Sequence, residues 1–136
     1  MMDIWKVFRI GASAIFAQRR RMEILASNLA NINTTRTPQG GPYRRQDVLF
    51  QAEPMEEGAM GVRVVGIVED QRRPFRIVYD PSHPDRDEKG YVKYPNVDLT
   101  EEMVNLMLAI RSYEAALKVI STSEDMALKT IDLLGR

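Results

Sequence analysis

LTEEMVNLMLAIRSYEAALKVISTSEDMALKTIDLL, residues 99–134, decides the fold. Steps of four and three from Leu99 land on Met103, Leu106, Ile110, Tyr113, Leu117, Ile120, Glu124, Ala127, Ile131 and Leu134, a row in which only Glu124 is charged. Such a 3.5-residue apolar repeat predicts the seam of one helix, about 36 residues and ~54 Å long. Asp98 or Thr100 supplies its N-cap, Glu101 and Glu102 sit in the first turn where the dipole favours carboxylates, and Gly135 ends it. A second row, Val104, Leu108, Ala115, Val119, Met126 and Leu133, runs beside the first, so the apolar surface is wider than one partner helix covers.

The same stepping at the other end gives Ile4, Phe8, Gly11, Ile15, Gln18, Met22, Leu25, Leu29 and Ile32, a helix of about 29 residues closed by Asn28, Asn31, Asn33, Thr34 and Pro38. The prolines and most glycines lie between the helices. There Val62 to Val68 and Phe75 to Tyr79 read as strands broken at Arg72-Arg73-Pro74, while residues 51–61 and Asp80 to Asp85 read as loops. The expected fold is mainly α: long N- and C-terminal helices packed as a coiled-coil-like pair, with a small β-hairpin-containing insert. The expected division is 1–35, 36–98 and 99–136. One long helix and a small insert offer too little cover for the second row, which points to burial against other subunits.

The 136 residues suit one domain, and 44% hydrophobic with 28% charged residues is an ordinary globular composition. Lys+Arg 19 balances Asp+Glu 19, although residues 1–45 carry eight basic against two acidic side chains and residues 98–136 four against seven. The basic run Arg19-Arg20-Arg21 is expected to face carboxylates such as Glu101, Glu114 or Asp132. With no aromatics interleaved, that run gives no nucleic-acid reading. No apolar stretch approaches the ~20 residues of a membrane span. Arg9 interrupts the only signal-peptide-like segment, so the N-terminus reads as retained.

Zero Cys removes thiolate catalysis, and a single His, His83, leaves neither a His metal site nor a triad easy to build. Ser82-His83 with Asp80 and Asp85 are neighbours in a Pro-bounded loop, where nucleophile and base rarely converge. The adjacent carboxylates Glu56-Glu57, Asp87-Glu88 and Glu101-Glu102 turn to different faces and suit solvation. No enzyme and no cofactor is expected.

Several motifs, in order along the chain, resemble the proximal rod proteins of the bacterial flagellum. They are Ala26-Ser27-Asn28-Leu29-Ala30-Asn31, Gly41-Pro42-Tyr43-Arg44, Val78-Tyr79-Asp80-Pro81, Gly90-Tyr91-Val92, Pro95-Asn96-Val97-Asp98, Glu102-Met103-Val104-Asn105, Arg111-Ser112-Tyr113-Glu114-Ala115 and Leu128-Lys129-Thr130. The triple Arg and His83 depart from that pattern. The resemblance implies a non-enzymatic structural subunit, exported unfolded by the flagellar type III apparatus and polymerised into the periplasm-spanning rod of the basal body. Its implied partners are copies of itself, other rod subunits and export-gate or ring components. The candidate subunit-interface residues are Asn28, Leu29, Asn31, Val104, Leu108, Ala115, Val119 and Met126. Asn28 and Asn31 either terminate the first helix or hold a neighbour through their amides. The terminal helices are expected to order only on docking. The alternative is a self-contained cytoplasmic helical adaptor or chaperone-like binding protein.

Overall fold

Apolar periodicity at both ends of the chain becomes two long helices in the computed structural model, which describes residues 4–55 and 58–135. The order is α1 (Ile4–Ala30), β1 (Gln46–Pro54), β2 (Met60–Glu69), β3 (Arg76–Tyr79), β4 (Tyr91–Tyr94) and α2 (Leu99–Leu134). α2 matches its expected span. Asp98 is its N-cap, extended at φ −95°, ψ 121°, with its carboxylate accepting the Glu101 N–H at 2.8 Å. At the other end Gly135 stays right-handed at φ −81° and donates its N–H to Ile131 O. α1 stops two residues earlier than the repeat predicts: the Asn31 N–H still makes the helical bond to Ser27 O (3.0 Å), but the Asn31 side-chain amide shares that carbonyl (2.9 Å), and the next backbone bonds tighten to three residues back, Ile32 N–H to Leu29 O (3.3 Å) and Thr34 N–H to Asn31 O (3.0 Å).

The helices run antiparallel. Asn28 of α1 meets Glu102 of α2, while Gly11 lies under Ile120, where an added Cβ would be 2.9 Å from Ile120 Cγ1. Counted residue for residue, Ile4, the first described residue of α1, falls opposite residue 127 of α2.

The insert corrects one expectation and adds a partner strand to each of the two expected ones. Residues 51–61 are mostly strand: β1 and β2 form an antiparallel hairpin from Gln46↔Glu69 to Pro54↔Met60, with a bulge between Leu49 and Phe50 that leaves Val65 as the extra residue. Glu56 and Glu57 lie outside the described residues. The two sequence-predicted strands do not face each other. β2 pairs with β1, and β3 pairs with the four-residue β4, Arg76↔Tyr94 to Tyr79↔Tyr91. The 80–90 loop closes this second pair through Asp80 N–H to Gly90 O (2.9 Å) and Asp87 N–H to Tyr91 O (2.7 Å), with Gly90 at φ +88°, a conformation L side chains avoid. α1 supports the first hairpin, since Ser13 Oγ accepts the Val62 N–H at 3.2 Å.

The core is built largely from small residues. Ala17, Ile24 and Leu25 of α1 are buried with Ala109 and Ala116 of α2, and Ser123 continues the α2 row. Glu102, Ala109, Ala116 and Ser123 recur every seven residues, flanked by the half-buried Leu106, Tyr113, Ile120 and Ala127. Four of the eleven residues of the expected α2 seam, Leu106, Tyr113, Ile120 and Ala127, are half-buried. The other seven, Leu99, Met103, Ile110, Leu117, Glu124, Ile131 and Leu134, are exposed, because the row one position before Met103, Ile110 and Leu117 has smaller side chains and lets the backbones approach. On α1, Gly11 and Leu25 of the expected seam are buried, whereas Phe8 is 38% exposed.

Candidate functional site: a buried polar hub and two open helix flanks

Where the helices meet the insert, polar side chains from four segments converge on one another and on backbone groups of a fifth. Asn28, at the end of α1, is fully buried and uses its whole amide within the chain. Its Nδ2 donates to Gln46 O (2.8 Å) and to Glu102 Oε2 (3.2 Å), and its Oδ1 accepts from Tyr43 OH (2.7 Å) and Gln46 N–H (3.0 Å). Arg45 donates through Nε to the other oxygen of Glu102, and the Arg45 backbone N–H is received by Asn96 Oδ1 at 2.7 Å. Asn96 Nδ2 in turn donates to Asp70 O (3.0 Å) and Arg73 O (3.2 Å). Glu102 is thus a buried carboxylate with both oxygens satisfied, not the solvated first-turn charge its neighbour Glu101 suggests.

The electrostatics fit this arrangement. Burial opposes the Arg45 charge, but the hydrogen bond and charge of Glu102 outweigh it and hold Arg45 above its usual pKa. Burial likewise raises the Tyr43 phenol, against a smaller opposing pull from Ser27 and with help from the Glu102 charge. At the rim, Arg73 grips Glu101 with both terminal nitrogens (2.7 and 2.5 Å) and reaches Asp70 at 3.5 Å. Glu101 is therefore not a partner of the basic run on α1. Arg19 and Arg20 pair instead with Glu23 on their own helix, at 3.7 and 3.1 Å.

The remaining candidate interface residues separate by position. Leu29 is half-buried, and Asn31 serves the helix end, its Oδ1 also accepting from Thr34 Oγ1 at 3.0 Å. Asn28 is not available to a neighbour in this fold, since its amide is spent inside the chain. Val104, Leu108, Ala115, Val119 and Met126 do share one side of α2 and all are exposed, the large ones at 50%, 52%, 40% and 53%. On the opposite flank Leu99, Met103, Ile110 and Leu117 are exposed as well. α2 therefore shows one covered row and two open apolar flanks, separated at the back by Arg111, Glu114, Lys118, Asp125 and Lys129. In the last turns of α2, Leu128, Ile131, Leu133 and Leu134 are 58% to 83% exposed. The outer side of α1 adds Trp5 and Phe16.

Elsewhere, the triad letters of the 80–85 loop are used structurally. Ser82 Oγ donates to Asp80 at 2.8 Å, His83 Nδ1 accepts the Asp85 N–H at 3.0 Å, and Asp85 receives Thr35 Oγ1 at 2.6 Å and pairs with Arg36. No cluster of His and acidic side chains among the described residues could hold a metal ion, and no helix is long and apolar enough to cross a membrane. Sequence reasoning missed the hub, although Asn28, Tyr43, Asn96 and Glu102 each fall in a quoted motif. Their scattering over 75 positions hid that they touch.

A helical, extended subunit with apolar flanks left open belongs to the class of self-assembling structural proteins, and the comparisons agree. The family described as "Flagella basal body rod protein" matches residues 8–36, and "Flagellar basal body rod FlgEFG protein C-terminal" matches residues 88–133. Relatives named flagellar basal-body rod protein FlgC include those of Escherichia coli O6:H1, 45% identical over 97% of this chain and 98% of the relative, and Salmonella typhimurium, 44% identical over the same shares. The relative from Borreliella burgdorferi is 38% identical over 98% of this chain and 99% of its own. The chain belongs to the FlgC family of flagellar basal-body rod proteins. It is a structural subunit of the rod, located in the flagellar basal body. That favours the rod subunit over the cytoplasmic adaptor.

Proposed function

We propose that this chain builds the proximal rod by packing the open flanks of α2 against helices of neighbouring subunits, after type III export as an unfolded chain. The carrying observation is the pair of exposed apolar flanks on α2, beside a seam already filled by α1. A soluble monomer seldom leaves contiguous apolar surface of this extent open. Leu29, Val104, Leu108, Ala115, Val119 and Met126 are the interface residues in this reading, with Met103, Ile110 and Leu117 added on the second flank. Residues 1–35 and 99–136 form the rod-core layer, paired in coiled-coil-like fashion, and 36–98 the insert. Each subunit meets its neighbours head to tail through non-identical patches, an interface that does not close on itself and so propagates a helical tube. The neighbours are copies of this chain, other rod subunits, and export-gate or ring components at the base. Flexible Met103, Met107 and Met126 suit contact with non-identical neighbours. No cofactor is called for. In the single chain the helices already pair; the ordering left for docking is concentrated in the last turns of α2, where Leu128, Ile131, Leu133 and Leu134 are exposed.

Leu108→Glu tests this reading most cleanly, because Val119 also borders Gly11 inside the chain. The variant is expected to keep its circular dichroism and unfolding midpoint and to disappear from purified basal bodies. Val119→Glu should behave alike with some loss of stability. Normal incorporation of both would refute the use of this flank.

A further inference from the structure

The face that α2 turns to α1 repeats with a period of seven residues. On α2 the buried row Ala109, Ala116, Ser123 and the half-buried row Leu106, Tyr113, Ile120, Ala127 both repeat every seven residues. A slide of α2 by one heptad, about 10 Å, replaces one small residue by another in the buried row and exchanges the side chains of Leu106, Tyr113, Ile120 and Ala127 among themselves in the half-buried one. Gly11 under Ile120 does not forbid the slide that brings Ala127 there, since alanine is smaller than the isoleucine it would replace, whereas the opposite slide sets the larger Tyr113 over Gly11. Apolar packing of this kind specifies that the helices pair and leaves their register weakly determined.

The only ionic member of the buried row is Glu102. In the native register one of its oxygens receives Arg45 Nε and the other Asn28 Nδ2. Slid by seven, α2 would bring Ala109 to that place or carry Glu102 beyond the hub. Either way the Arg45 guanidinium, whose side chain is 8% exposed, keeps its burial and loses its carboxylate. A buried ion pair adds little net stability over apolar groups of the same size, but breaking one is severely unfavourable, so its strongest effect falls on the wrong arrangements.

We propose that Glu102, held by Arg45 and Asn28, is the positioning residue that fixes the register of α2 against α1. The last step rests on the rod reading: register sets where along the subunit the two flanks of α2 are presented to neighbours.

The test replaces the pair by apolar side chains, Arg45→Met with Glu102→Leu, in the full chain. Because the protein has no Cys, spin labels can be placed uniquely at the exposed positions Arg19→Cys and Asp125→Cys. With the native pair, the label distance distribution is expected to have a single peak. The apolar pair should unfold cooperatively at a midpoint within a few degrees of the parent, show a second peak displaced by up to about 10 Å, and enter basal bodies at least tenfold less. A single unshifted peak with parental incorporation would overturn the assignment. Loss of cooperative unfolding would overturn it too, since the pair would then act on stability and not on register. If the label distances split as expected while incorporation is unaffected, register control stands and the flank-based rod reading fails.

Discussion

Replacing Asn28 by Ala removes four hydrogen bonds from a side chain with no solvent access. Glu102 keeps Arg45, but the Gln46 N–H and C=O and the Tyr43 hydroxyl are left to find water. Each such group costs about 1–3 kcal/mol when water cannot reach it, and Gln46 and Tyr43 are only half-buried, which places them at the low end. The sum is about 3–5 kcal/mol, a large part of the ~5–15 kcal/mol that holds a domain of this size together. Urea unfolding followed by circular dichroism should show a lower midpoint at unchanged slope, and thermal unfolding a drop of about 10–20 °C. Asn28→Asp sharpens the test. It keeps the two acceptor bonds, loses both donors and sets a second carboxylate against Glu102, so it should be as unstable as Asn28→Ala at neutral pH and recover partly on mild acidification. An Asn28→Ala protein with its midpoint unchanged that nevertheless fails to enter basal bodies would refute this reasoning. It would return Asn28 to a subunit interface.

Three further outcomes follow from the packing. Gly11→Ala gains about 0.8–1 kcal/mol of helix propensity but sets its Cβ 2.9 Å from Ile120 Cγ1 and 3.3 Å from Val119 Cγ1, so a net loss of about 1 kcal/mol is expected, relieved by Ile120→Ala in a double-mutant cycle. The hydrogen bonds of Arg73 lower the pKa of Glu101; at Asp70 burial works upward, but the N–H groups of Arg72 and Arg73 and the Arg73 charge outweigh it. Groups depressed in the folded state stabilise fully above the unfolded carboxylate range near pH ~4 and lose that contribution as pH falls through their folded values. The advantage of the parent over Arg73→Ala in urea midpoint should therefore be constant above pH ~5 and shrink below pH ~4. Amide exchange should be slowest around Leu25, Ala109 and Ala116 and fast over residues 128–134, where the large apolar side chains of α2 are exposed. Uniform protection to Leu134 in the isolated subunit would contradict that gradient.

The sequence by itself determined the two helices, a cap for α2 at Asp98 or Thr100 and the excess of apolar surface on α2, because helix period and capping are written in residues three or four apart; the structure places the cap at Asp98. It did not determine which apolar row lies inside. Large residues occupy three neighbouring rows of α2, and the choice fell to the row of Ala109, Ala116 and Ser123, which permits the closest approach to α1 and leaves the bulkier rows outward. β1 and β4 were likewise hidden. β1 is exposed over most of its length and carries no alternating pattern, and β4 is four residues ending before Pro95, so each exists through the ladder it forms with a partner strand. The hub was decided by tertiary structure alone: Asn28, Arg45, Asn96 and Glu102 are ordinary polar residues until folding removes water from all four, and only then must each become another's partner.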